Sequence, residues 1–229
     1  MRVLIAGATG FVGRNLVPAM LGSGEDVRCL VRTPGAPAAR GLAAAGAELV
    51  AGDVASRRDL AAPFEAVEVA YFLVHMMGGA DGQGSYERTE VASARRFARA
   101  ARRAGVERVV YLGGLGALPS SPHLRSRHAT GRALADEGPP LVYMRAGMAI
   151  GAGSESYVLA RSAVERLPVV PDNAWLHTES QPIGIRDLVA YLRLAADPEI
   201  GRPGEVELGG PDVLSHLDML DAIARSLGR

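Results

Sequence analysis

The chain has 229 residues, with 25 Asp plus Glu balanced by 25 basic residues that are all arginine, so the formal net charge is zero and lysine is absent. Such a length suits one large domain with a sizeable core. The even charge argues against a nucleic-acid partner, and the lack of lysine excludes Schiff-base or lysine-relay chemistry. No apolar run reaches the roughly 18 residues that span a membrane. The lone Cys29 offers neither a disulfide framework nor a cysteine-based metal site, and no pair of histidines has metal-ligand spacing.

The first element is an apolar strand over 3–6, followed at once by Gly7, Gly10 and Gly13 and then by a helical pattern over 11–22. Strand, glycine turn and helix N-terminus in this order aim free backbone amides and a helix dipole at one point, which suits a pyrophosphate. Gly7 allows the turn, Gly10 the approach of phosphate and Gly13 the contact of helix on strand, with Thr9, Phe11 and Val12 filling the loop. Because the strand starts so early, no signal peptide is expected and the location expected is cytoplasmic.

Short runs rich in Val, Leu and Tyr follow at 26–32, 48–51, 69–74, 108–112 and 141–145, as strands buried on both faces should read. Helical stretches lie between them at about 36–46, 56–63, 84–104 and 124–137. This alternation predicts an α/β fold, a Rossmann-type doubly wound parallel sheet, with 1–150 as its core. A helix over 154–166, a proline-bounded segment, a helix over 185–196, a strand over 204–208 and a helix over 213–227 complete the chain. In such sheets ligands bind beyond the strand C-termini, so 151–229 is expected to be a substrate-side cap integrated with the core as one domain.

The second strand ends Leu30-Val31-Arg32-Thr33 with no carboxylate to bind a ribose hydroxyl. Arg32 suits a 2′-phosphate instead, so NADP(H) is predicted over NAD(H). Arg14 is either a helper or a solvated helix residue. Asp53, followed by Val54, is placed to accept from the adenine amino group or to cap a helix near Ser56. Leu73, Val74 and His75 end the fourth strand on the nicotinamide side, where His75 is either functional or simply packed. The 78–84 segment reads as a lid or a connector, and the arginines of 95–108 as a basic patch or the wet face of a helix.

Together these segments resemble the atypical branch of the short-chain dehydrogenase/reductase superfamily, in its NmrA-like and sugar-epimerase-like flavour. The resemblance rests on Gly7-Ala-Thr-Gly-Phe-Val-Gly13, Gly52-Asp53, Tyr71-Phe-Leu-Val-His75, Val109-Val-Tyr-Leu-Gly-Gly-Leu-Gly116 and Gln181-Pro-Ile-Gly-Ile-Arg-Asp187. It implies a dinucleotide cofactor, a small-molecule substrate, a monomer or a homodimer, and a Ser with a Tyr-x-x-x-Lys pair. Here Gly113 and Gly114 stand in the serine region, while His123 and Arg127 occupy the Tyr and Lys registers. Four residues apart, they share a helix face. His123 can act as acid or base or be an ordinary surface histidine, and Arg127 can hold a ribose hydroxyl but cannot shuttle protons. The pocket wall is expected from Met76, Met77, Leu115, Met148 and Tyr157. Two functions stay open: an NADP(H)-dependent oxidoreductase on a small carbonyl or quinone-like molecule, or an NADP(H) sensor that has lost the proton relay.

Overall fold

The computed structural model describes residues 1–56, 58–75, 83–116, 121–167, 173–174 and 176–228, with backbone only at 83–86 and 122. Its first part runs β1 Arg2–Ala6, α1 Phe11–Leu21, β2 Asp26–Val31, α2 Pro37–Ala44, β3 Glu48–Ala51, β4 Val69–Phe72, α3 Gln83–Arg103, β5 Arg108–Gly114, α4 Pro122–Glu137 and β6 Leu141–Ala146. The second part runs β7 Ala149–Ile150, α5 Glu155–Arg166, β8 Glu179–Ser180, β9 Ile183–Gly184, α6 Ile185–Leu194, β10 Gly204–Leu208, β11 Leu214–Ser215 and α7 His216–Ser226.

Seven strands form one parallel sheet in the order β10-β6-β5-β4-β1-β2-β3. The order reverses at β1 and β4, which opens a crevice at their C-terminal ends. The central strands are buried on both faces, in keeping with their continuous apolar sequence. One face packs Leu16, Val17 and Met20 of α1 with Leu42 of α2 and Leu188 and Leu192 of α6. The other packs Phe97, Ala98 and Ala101 of α3 with Leu134 of α4. Phe97 holds this face together, its ring edge-on to Phe64 at 4.9 Å and to Phe72 at 5.1 Å.

Two expectations need correction. The helix expected over 56–63 does not form among the described residues; the chain turns and makes one 3₁₀ turn over Ala62–Phe64. Pro63 explains this, since its ring and missing N–H fit the first turn of a helix and not its last. The division at residue 150 does not separate core from cap either. β10 adds the seventh strand beside β6, and α6 belongs to the core face, where Tyr71 donates its hydroxyl to the Leu192 carbonyl at 2.9 Å. Within 151–229, α5 and α7 pack on each other.

The arginines of α3 are more than a wet face. Arg102 donates through Nε to the Gly138 carbonyl at 3.1 Å, and Arg95 pairs with Glu137 at 3.4 Å, as does Arg99. Arg108, at the start of β5, donates to the carbonyls of Asp197 and Gly201 at 3.1 and 2.9 Å and so fixes the chain after α6. Among the described residues no helix is long and apolar enough to cross a membrane.

Candidate functional site

At the reversal point β1 runs into Gly7, whose φ of +91° favours glycine; a Cβ there would lie 2.6 Å from the carbonyl carbon and oxygen of Leu73. Gly13 is fixed by contact instead. A Cβ on it would lie 2.4 Å from the Gly7 oxygen and 2.6 Å from the Ala8 Cα, so helix and turn touch backbone to backbone. Gly10 is the N-cap of α1 and donates to the Gly7 carbonyl at 3.0 Å, and no side chain caps the helix. The first-turn amides of Phe11, Val12 and Gly13 are therefore free to hold an anion, backed by the helix dipole. This cradle, which any side chain would fill, fits the diphosphate of a dinucleotide.

A cleft of about 1500 Å³ runs across the turn. It exceeds the roughly 300–1,000 Å³ of an ordinary small-molecule pocket, as a site for two ligands should. Thr9, Gly10 and Phe11 line its middle. On the β2–β3 side lie Arg32, Asp53 and Val54. Arg32 is exposed and has no hydrogen-bond or ion-pair partner among the described residues. Asp53 does not cap a helix. Its Oδ1 accepts from the Ala55 amide at 2.9 Å, closing a local turn that the sequence reading did not anticipate.

Arg96 of α3 clamps that turn from below, donating through Nε to the Val54 carbonyl and through Nη2 to the Ala55 carbonyl, both at 3.0 Å. Arg14 is exposed but not free. It donates to the Gly153 carbonyl at 2.7 Å and sits 5.5 Å from the Phe11 ring centre, strapping α1 to the loop before α5.

On the other side the cleft is lined by Leu73, Val74, His75 and Gly113, and further out by His123 and Arg127. β4 ends at Phe72, so Leu73–His75 leave the sheet as coil, although the Leu73 amide still donates to Ala6 at 2.9 Å. His75 is exposed.

α4 starts at Ser121, which caps it by accepting from the Leu124 amide at 3.2 Å. One turn in, Arg127 Nη2 comes within 3.4 Å of His123 Nε2, so the two residues predicted to share a face do meet. Arg127 is 7 % exposed and pairs through Nη1 with Glu90 of α3 at 3.8 Å, itself 2 % exposed. Thr130 donates to the same Glu90 oxygen at 3.4 Å. Burial lowers the Arg127 guanidinium to about 10, which still leaves it charged at neutral pH.

Serine at 113 has no place on this wall. A Cβ at Gly113 would meet the Tyr143 ring at 2.6 Å and one at Gly114 would meet Leu124 Cδ2 at 2.6 Å. The volume of the absent side chains is filled from behind, with the rigid Tyr143 ring beneath Gly113. His128 bonds the Gly116 carbonyl at 2.9 Å and stands edge-on to Tyr143.

Glu90 and Arg96 escaped the sequence reading. A signal for Glu90 existed, because residues 90, 94, 97, 98 and 101 recur on one helical stripe and Glu90 is its one charged member. Of the expected apolar wall, Leu115 and Met148 line the cleft and Tyr157 does not. Met76 and Met77, and most of the 78–84 segment, lie outside the described residues. Among the described residues no three His, Cys, Asp or Glu side chains gather as metal ligands.

Comparison with known proteins places this geometry. The model of the NmrA-like family matches residues 1–165. Over 125 residues, 53% of this chain and 37% of the other, the sequence is 38% identical to sterol demethylase protein B of Methylococcus capsulatus. Over 118 residues, 48% of this chain and 31% of the other, it is 32% identical to a 3-beta-hydroxysteroid dehydrogenase of Mycolicibacterium neoaurum. The matched segments thus span about a third of these relatives' length.

Among solved structures, a short-chain dehydrogenase/reductase superfamily protein from Agrobacterium tumefaciens with bound NAD superposes with a TM-score of 0.80. That match covers 100% of this chain and 83% of the other at 18% identity. UDP-glucose 4-epimerase of Thermus thermophilus in complex with NAD gives 0.80 over 100% and 84%, also at 18% identity. At such identities the likeness is one of fold.

Proposed function

Because the chain belongs to the NmrA-like family, within the short-chain dehydrogenase/reductase superfamily, we propose that it binds NADP(H) across the glycine turn and moves a hydride between it and a small carbonyl or quinone-like compound. The observation that carries the cofactor choice is Arg32, exposed at the end of β2 with no partner among the described residues and no carboxylate in the sequence at that strand end. The first-turn amides of α1 hold the diphosphate, Arg32 grips the 2′-phosphate with its planar fork, and Asp53 accepts from the adenine amino group. The dinucleotide supplies the hydride when bound.

This chain's residues then have two tasks beside the nicotinamide. Arg127, fixed by Glu90, orients a ribose hydroxyl. His123, when its Nε2 accepts from Arg127, carries its proton on Nδ1 and can donate a hydrogen bond from it to a developing alkoxide, which takes its proton from water. The names of the relatives mention sterols and steroids, which agrees with a ketone or alcohol on a lipophilic skeleton.

A second reading, an NADP(H) sensor without turnover, is favoured by the glycines and the buried arginine standing where serine and lysine would be. Calorimetric titration with NADPH and NADH tests the cofactor. Arg32→Ala is expected to weaken NADPH by about 10- to 100-fold, the worth of hydrogen bonds to a charged group, and to leave NADH unchanged. Equal weakening of both would remove Arg32 from 2′-phosphate recognition. Absorbance at 340 nm with a panel of quinones, aldehydes and ketones separates enzyme from sensor, and His123→Ala should abolish any turnover found.

A further inference from the structure

The two ends of the cleft differ in charge. Beyond β5 and β6 the wall is apolar at Leu115, Leu124, Met148 and Val213 and carries two carboxylates, Glu155 in the first turn of α5 and Glu179 on β8. Both are exposed, and neither has an ion-pair partner among the described residues. The cations nearby are committed. Arg127 faces Glu90 at 3.8 Å, Arg14 donates to the Gly153 carbonyl at 2.7 Å, and Arg32 lies across the glycine turn on the β2 side. A bound dinucleotide adds the negative charges of its phosphates, which in net charge outweigh the single positive charge of an oxidised nicotinamide ring.

Resting on the cofactor reading above, we infer that this end of the cleft takes an uncharged, largely apolar carbonyl compound and turns away anions such as nucleotide sugars, sulfate esters and carboxylates. An anionic ligand would lose water and meet like charge at two carboxylates with no free arginine among the described residues at this end to offset it. A neutral carbonyl needs only one hydrogen-bond donor, which His123 supplies, and gains from the apolar wall. Selection by exclusion of the wrong charge gives specificity without any further contact to the right ligand.

The test uses the whole protein saturated with NADP⁺ and three matched pairs: 1,2-naphthoquinone and its 4-sulfonate, dehydroepiandrosterone and its sulfate, acetophenone and 4-acetylbenzoate. UDP-glucose serves as a further anion. In each pair that binds, the neutral member is expected to bind at least tenfold more tightly, the gap should shrink as salt is raised, and UDP-glucose should not bind. The double variant Glu155→Gln/Glu179→Gln should tighten the anionic members at least threefold while leaving the neutral ones unchanged.

An anion binding as tightly as its neutral partner overturns the inference, as does a gap indifferent to the double variant or failure of all three neutral compounds. The cofactor titration that precedes these measurements separates the two readings. If NADP⁺ itself does not bind, both fall; if it binds and the pairs do not differ, only the charge selection falls.

Discussion

The two sides of the cleft are built from different materials. The β1–β2 side is made of backbone: a glycine at φ +91°, a helix N-terminus capped by no side chain, and a contact between Gly13 and Gly7 that admits no Cβ. The β5–α4 side is made of side chains that come from separate elements, with Glu90 from α3, Arg127 and His123 from α4, and Tyr143 from β6. A backbone cradle fixes its ligand by shape and dipole and tolerates almost no substitution. A side-chain cluster can exchange its members and so can change its chemistry while the fold persists.

If that contrast holds, damage on the two sides should look different. The largest loss of stability is expected from Arg127→Ala, which leaves Glu90 buried without its cation and should cost about 3–5 kcal/mol. Urea unfolding measures it. Replacing both partners, Glu90→Gln with Arg127→Met, should recover most of that loss, because an uncharged pair of similar volume needs no mutual neutralisation. A double variant as unstable as the single one would show that Arg127 is held by something other than Glu90.

Gly13→Ala comes next, at about 1–3 kcal/mol for forcing a methyl group between helix and turn. Its signature differs from that of Arg127→Ala. Calorimetry should find NADPH and NADH binding abolished together, since the added carbon shifts the amides that serve both.

A smaller and more selective effect is expected at Arg96, whose donors hold the Val54 and Ala55 carbonyls beside Asp53. Arg96→Ala should weaken adenosine 2′,5′-bisphosphate by about tenfold, on the scale of two lost hydrogen bonds. Reduced nicotinamide mononucleotide should bind as before. Equal weakening of both halves would mean that Arg96 supports the fold at large and not the adenine end.

The same contrast explains what sequence could and could not reveal. Gly7, Gly10 and Gly13 act through local backbone geometry, so their spacing after an apolar strand is the whole signal, and the parallel sheet follows from the alternation of strand and helix. At Asp53 the sequence suggests the cap of a helix, which Pro63, ten residues on, keeps from forming. Arg14 and Arg96 read as solvated because arginine is usually so; their carbonyl acceptors lie 139, 42 and 41 residues away. The substitution of glycine for serine at 113 was visible, whereas its cause, the Tyr143 ring packed behind it, depends on the pairing of β5 with β6.

The smallest effect should come from Tyr143→Phe. The Tyr143 hydroxyl is buried and has no hydrogen-bond partner among the described residues. Its removal at neutral pH should therefore raise stability, by up to about 1 kcal/mol, since an unpaired hydroxyl gains nothing from burial. At high pH the difference should grow. Burial pushes the Tyr143 phenol up to about 12 and moves Tyr71 and Tyr111 in the same direction.

Above pH ~10 the unfolded chain releases phenolic protons that the folded chain still holds, so stability falls as pH rises toward 12. Tyr143→Phe removes one of these groups and should make the fall shallower. Urea midpoints at pH 7 and 10.5 measure both parts. A variant less stable than the parent at pH 7 would show that the hydroxyl is bonded after all, to a trapped water, and that the wall beneath Gly113 is a polar layer and not a packed one.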